Sequence, residues 1–146
     1  NLSITSILYK IFYVFSPAAA DSSAFGNINL CLLIIVFLVA TVTAIYTRSE
    51  LARCAIASSI VILIPSISYF YVLIFMLIPF MQFLRSYDHL PKFKQRLYLV
   101  LFLFIFFTPF ILPKNFIIHS LAVITIFVTE CAGVIKNEMI AKLRKA

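Results

Sequence analysis

The sequence predicts an all-α fold: a polytopic helical membrane protein of about five spans, preceded by an N-terminal amphipathic helix. Three observations carry that expectation. From Asn27 to Lys136 the chain is nearly continuous apolar sequence, broken only where charged residues cluster. Hydrophobic residues make up 64% of it and charged residues 12%, far from the balance of a water-soluble domain. Runs such as 30–39, 60–64 and 97–107 show no alternation of polar and apolar side chains, which excludes barrel strands. A hydrocarbon core of roughly 30 Å takes about 20 apolar residues per helical crossing.

The net charge of +7 would point to nucleic acid in a soluble domain. Here it fits the collection of Lys and Arg on cytoplasmic loops, and no nucleic-acid partner is expected. There is no Trp, so an interfacial aromatic belt falls to Tyr. Cys31, Cys54 and Cys131 sit in apolar segments without paired spacing and read as small buried hydrophobes, not disulfides or metal ligands. The chain opens on Asn1 and shows no cleavable signal peptide, so the remainder of a longer chain or complex is expected around it.

Residues 2–15 form the amphipathic helix. At 100° per residue, Ile4, Ile7, Leu8, Ile11, Phe12 and Phe15 share an arc of about 140°. Ser3, Thr5, Ser6, Tyr9, Lys10 and Tyr13 occupy the rest, as in a helix lying at a membrane interface. Ser16-Pro17 ends it, and 18–27 reads as a loop, completing an extracytoplasmic segment 1–27. The transmembrane bundle is expected over 28–135, its first span at 28–46.

The 34 residues 51–84 would make a helix of roughly 50 Å, too long for one crossing. Pro65 lies near the middle, followed by Ser66-Ile67-Ser68. Proline removes a backbone donor and disfavours helix at the preceding residue. Two short spans, 52–64 and 68–84, joined by a hairpin-like break at 65–68, are therefore expected, with one kinked helix as the rival. A basic loop follows at 85–96, then a span at 97–112, a tight turn at Pro113-Lys114-Asn115, a last span at 116–135, and a basic tail at 136–146. With five spans, ten Lys and Arg fall on one side and only Lys10 and Lys114 on the other. Four spans give nine against three. The five-span threading satisfies the positive-inside rule better and places the C-terminus in the cytoplasm, with the first helix and the 65–68 break sharing the opposite face.

Polar groups inside a membrane are costly and are candidates for function. Glu130 lies in the last span, either at headgroup level or bonded to a neighbouring helix. His119, 11 residues away, is about 16 Å along the axis and cannot share a site with it; it reads as a capping or interfacial residue. The broken segment offers the hydroxyls of Ser66 and Ser68 and the phenols of Tyr69 and Tyr71, around backbone groups freed by Pro65. Lys10, on the polar face of the first helix, faces either water or a lipid phosphate. Asp21, in the Ala/Ser-rich loop, reads as a solvated acid. No carboxylate pair, nucleophile–base set, Gly-rich phosphate loop or metal cluster is legible, so no catalytic residue is assigned and no metal or cofactor is expected.

Two features together resemble the C-terminal half of family 87 glycosyltransferases, multi-span enzymes of the GT-C type. These carry an Asn-Gln-Ser-Leu-like opening to an amphipathic segment and, about 60 residues later, a Ser-Pro-Ile-Ser-Trp-like break. Here the first stands as Asn1-Leu2-Ser3-Ile4, with Leu in place of Gln. The second stands as Pro65-Ser66-Ile67-Ser68-Tyr69-Phe70-Tyr71: Ser and Pro are exchanged, Tyr replaces Trp, and the usual acid and His after the aromatic are missing. The likeness covers residues 1–84. It implies sugar transfer outside the cytoplasm from a polyprenyl-phosphate-linked donor to a glycan acceptor, in a bacterial plasma membrane. It also implies that the catalytic acid precedes Asn1, and that Asn1, Ser3, Ser66, Ser68, Tyr69 and Tyr71 contact sugar or phosphate; Lys10 joins that expected set through its place on the polar face of the first helix. A non-catalytic subunit of a membrane complex, such as a respiratory assembly, and a transporter segment are the alternative readings.

Overall fold

The computed structural model describes residues 3–17, 23–65, 70–111 and 116–143. Among the described residues every regular element is helical. The helices are α1 (Ile4–Phe15), α2 (Ser23–Tyr46), α3 (Glu50–Leu63), α4 (Leu77–Ser86), α5 (Lys92–Ile111) and α6 (Phe116–Leu143). Short 3₁₀ segments at Phe70–Met76 and Tyr87–His89 lead into and out of α4. Two helices are long and apolar enough to cross a membrane, Ser23–Tyr46 and the Ile117–Asn137 portion of α6.

α3 is the centre of the bundle, touching α2, α4, α6 and the first 3₁₀ segment. Its sequence dictates this. Leu51, Ala52, Ala55, Ile56, Ser58, Ser59, Ile62 and Leu63 are all buried, a pattern recurring every three or four residues over more than half the circumference. The small side chains among them let neighbouring helices approach closely. Ser49 caps the helix, its Oγ accepting from the Ala52 amide at 3.3 Å.

After Leu63 the chain bends at Ile64 and Pro65, and the next helical residues, from Phe70, turn back so that α4 packs on α3. A continuous kinked helix could not place its second half against its first. α3 thus ends just before Pro65, and residues 66–68 of the expected break lie outside the described residues. At 14 residues α3 is only about 21 Å long.

α2 contrasts with α3. It touches the bundle through one stripe, Val36, Ala40, Thr43 and Ala44, and only 11% of its most apolar window is buried. Ile34, Ile35, Phe37 and Leu38 are exposed, as on a helix bathed in hydrocarbon. The Thr43 hydroxyl meets Cys131 Sγ at 3.5 Å, tying α2 to α6.

Three segments and two cysteines depart from the sequence expectation. The segment read as a loop to Asn27 is already helical from Ser23. The basic stretch read as a loop is largely helix: α4 runs to Ser86, and α5 begins at Lys92. Gln95 makes this compact turn possible, its Nε2 donating to the carbonyls of Tyr87 at 2.8 Å and Leu90 at 2.9 Å. α6 continues past Lys136 to Leu143, because no Gly or Pro follows to stop it. Finally, Cys31 is exposed on α2, and only Cys131 is fully buried.

The core between α4 and α5 is aromatic. Phe102 is the hub, its ring centroid 5.1 Å from Phe80, 5.6 Å from Phe83, and 6.1 Å from both Tyr98 and Phe106.

Candidate functional site

The bundle has two chemically distinct ends. At one, Thr43 of α2 meets Cys131 of α6, and Ser49, Val134 and Asn137 share a recess. α3 starts there, its N-cap Ser49 lining the recess, and packs on α6. α1 lies at the other end, against Ile117 and Leu121 in the opening turns of α6.

α1 is capped by Ser3, whose Oγ accepts from the Ser6 amide at 3.2 Å. Ser3 itself is fully buried. Its hydroxyl serves the helix start, whereas the resemblance implied a substrate contact. Beyond the cap, α1 and α6 enclose a groove of about 400 Å³. Ile7, Ile11, Val14 and Phe15 form one wall, Ile117 and Leu121 the other, and Lys10 is the single charged residue lining it. Lys10 reaches the groove because Ile7, Ile11 and Val14 stand at i−3, i+1 and i+4 around it on the helix surface. Val14 and Phe15 are 80% and 84% exposed, so the apolar wall continues to the outside. The lining is almost wholly apolar, with the exposed Lys10 contributing its methylene stem, so the groove suits an aliphatic chain against the Ile, Val and Leu side chains.

Of the other residues expected at the site, Asn1, Ser66, Ser68 and Tyr69 lie outside the described residues. Tyr71 falls in the 3₁₀ segment Phe70–Met76. Lys10 is therefore the expected residue that the structure sets in a cavity.

A second polar centre, at the opposite end, joins three residues that sequence reasoning kept apart. Glu130, 3% exposed on α6, faces Lys94 and Tyr98 of α5. Lys94 Nζ lies 2.8 Å from Oε1 and donates to Oε2 at 2.9 Å, and the Tyr98 hydroxyl donates to Oε1 at 2.5 Å. The ammonium also sits 5.2 Å from the Tyr98 ring centroid. The expectation that Glu130 bonds to a neighbouring helix holds. Lys94 was missed because it was assigned to a loop; once α5 is helical from Lys92, Lys94 and Tyr98 share one face at i, i+4. Both carboxylate oxygens are engaged and the Glu130 side chain is only 4% exposed, so the arrangement is a clasp between helices.

His119 also departs from expectation. It is fully buried with Ser120 in α6 rather than placed at an interface. Among the described residues no group of His, Cys, Asp and Glu could hold a metal ion. A groove of about 250 Å³ beside Phe80, Leu84, Leu99, Phe102 and Phe106 is wholly apolar and offers nothing to orient a reacting group. Comparison with known families, characterised proteins and solved structures finds no match.

Proposed function

We propose that the chain is the C-terminal membrane portion of a glycosyltransferase that takes its sugar from a polyprenyl-phosphate donor on the extracytoplasmic face. The observation that carries the reading is the apolar α1–α6 groove, which matches a long hydrocarbon chain, with the exposed Lys10 at its edge to meet a phosphate. A further feature supports it: the sequences at Asn1–Ile4 and Pro65–Tyr71 resemble the paired motifs of family 87 glycosyltransferases. In this reading the aliphatic walls take the polyprenyl tail and Lys10 compensates the phosphate. The acid that activates the acceptor comes from outside this chain. α2 and α6 cross the bilayer, the α3–α4 hairpin and α5 supply the other spans, and the C-terminus is cytoplasmic.

The test is binding of polyprenyl phosphate to the full chain in nanodiscs. Lys10→Gln is expected to weaken it about tenfold, consistent with loss of a charge-assisted contact of roughly 1.5 kcal/mol. The neutral polyprenol should bind equally to both proteins. Unchanged phosphate binding by Lys10→Gln would refute the assignment.

Orientation is tested by labelling with a membrane-impermeant thiol reagent in a background freed of native cysteines. Ser23→Cys is expected to react in intact cells, and Lys92→Cys only after permeabilisation. The reverse pattern would invert the threading.

A non-catalytic subunit of a membrane complex is the second reading. The bare apolar face of α2 favours it, since a neighbouring subunit could cover the side chains that this bundle leaves exposed.

A further inference from the structure

The end of the bundle opposite α1 holds a recess of about 250 Å³, lined by Tyr46, Thr47, Arg48, Ser49, Val134 and Asn137. It lies at the junction of α2 and α3, against α6. The nearby cations differ in how they are used. Lys94 is committed to Glu130, and Arg53 Nη2 donates to the Thr47 carbonyl at 2.9 Å. Arg48 is exposed and has no ion pair among the described residues. Lys136 is exposed on α6 close in sequence to Asn137, and Glu50, which opens α3, is the one acid beside Arg48 in the chain.

The hydroxyls retain donor capacity. Thr47 Oγ1 accepts from the Ser49 amide at 3.3 Å, and Ser49 Oγ accepts from the Ala52 amide, which leaves each O–H free to donate. Immediately along α2 the surface turns apolar: Val42, Ile45 and Tyr46 are 51%, 71% and 61% exposed. A free anion would have no use for that surface, whereas acyl chains would cover it.

We infer that this recess binds the headgroup of an anionic phospholipid, with Arg48 against the phosphate, Ser49 and Asn137 as polar contacts, and the acyl chains along Val42 and Ile45. Basic pockets between helices at the membrane surface take such headgroups, and each cation near the surface contributes about 1 kcal/mol, or about fivefold in affinity. The inference rests on the membrane reading above but not on the glycosyltransferase assignment.

The experiment uses the full chain in mixed micelles, with phosphatidylglycerol and phosphatidylcholine of equal acyl length as probes and native mass spectrometry as the readout. Phosphatidylglycerol is expected to be retained preferentially. Arg48→Gln should reduce that retention about fivefold and Asn137→Ala to a smaller extent, while Arg85→Gln leaves it unchanged. Equal retention of the two lipids would overturn the inference, as would an equal effect of Arg85→Gln, which would mark diffuse attraction. Displacement by millimolar inorganic phosphate would assign the recess to a free anion instead. Should Arg48→Gln fail to fold, Asn137→Ala decides alone: retention equal to the parent protein refutes the site. Carbonate extraction of cell membranes separates the two failures. A chain that stays in the membrane yet shows no lipid preference refutes only the headgroup site, and a chain that is extracted refutes the membrane reading itself.

Discussion

Replacing Lys94 with Met is expected to destabilise the bundle by about 3 kcal/mol, the lower part of the range for stranding one partner of a buried ion pair. The cost arises less from lost attraction than from leaving Glu130, whose side chain is 4% exposed, with a single hydrogen bond from Tyr98. The triple variant Lys94→Met, Tyr98→Phe, Glu130→Leu should recover to within about 1 kcal/mol of the parent, because apolar groups of similar size satisfy one another where a half-pair cannot. Equilibrium unfolding in detergent micelles measures both. A Lys94→Met protein as stable as the parent would show that the clasp contributes nothing, and a triple variant less stable than the single would show that the polar groups have favourable partners beyond one another.

Phe102→Ala is expected to cost about 3–5 kcal/mol by the same measurement, the range for removing a large aromatic side chain from a packed core. Phe102 is 2% exposed and its ring meets four others, so its loss opens a cavity that α4 and α5 cannot both close. Because these rings join α4 to α5, the variant should also loosen α5 against α4 while α1 and α2 keep their positions. Proteolysis focused on the Tyr87–His89 turn would report that loosening. Equal sensitivity along the whole chain would instead mean that the bundle unfolds as one unit.

What could be read from the sequence follows the range of the physics involved. The length and apolarity of α2 are local properties, and its helix was legible from composition alone. Pro65 acts on its own backbone and the residue before it, so the break was equally legible. Ser3 was picked out for its place in a motif, yet its part in the fold is the simpler one of capping α1. The clasp was not legible, because Lys94 and Glu130 are 36 positions apart and their meeting depends on how α5 packs on α6. A local misreading compounded this. A run of Arg and Lys after α4 looks like a loop, and nothing nearby signals that the Gln95 side chain will close the turn and start a helix at Lys92. Lys10 shows the same limit. Its helical angle places it among the polar residues of α1, but α6 supplies the second wall that turns its edge position into a groove.

The most direct measurement of the central claim is a structure of the complete protein in nanodiscs with polyprenyl phosphate. Phosphate density is expected beside Lys10 Nζ, with the chain running between Ile7 and Ile11 of α1 and Ile117 and Leu121 of α6. A groove filled by protein side chains, with the lipid phosphate bound elsewhere or not at all, would contradict it and leave the bundle a structural membrane subunit.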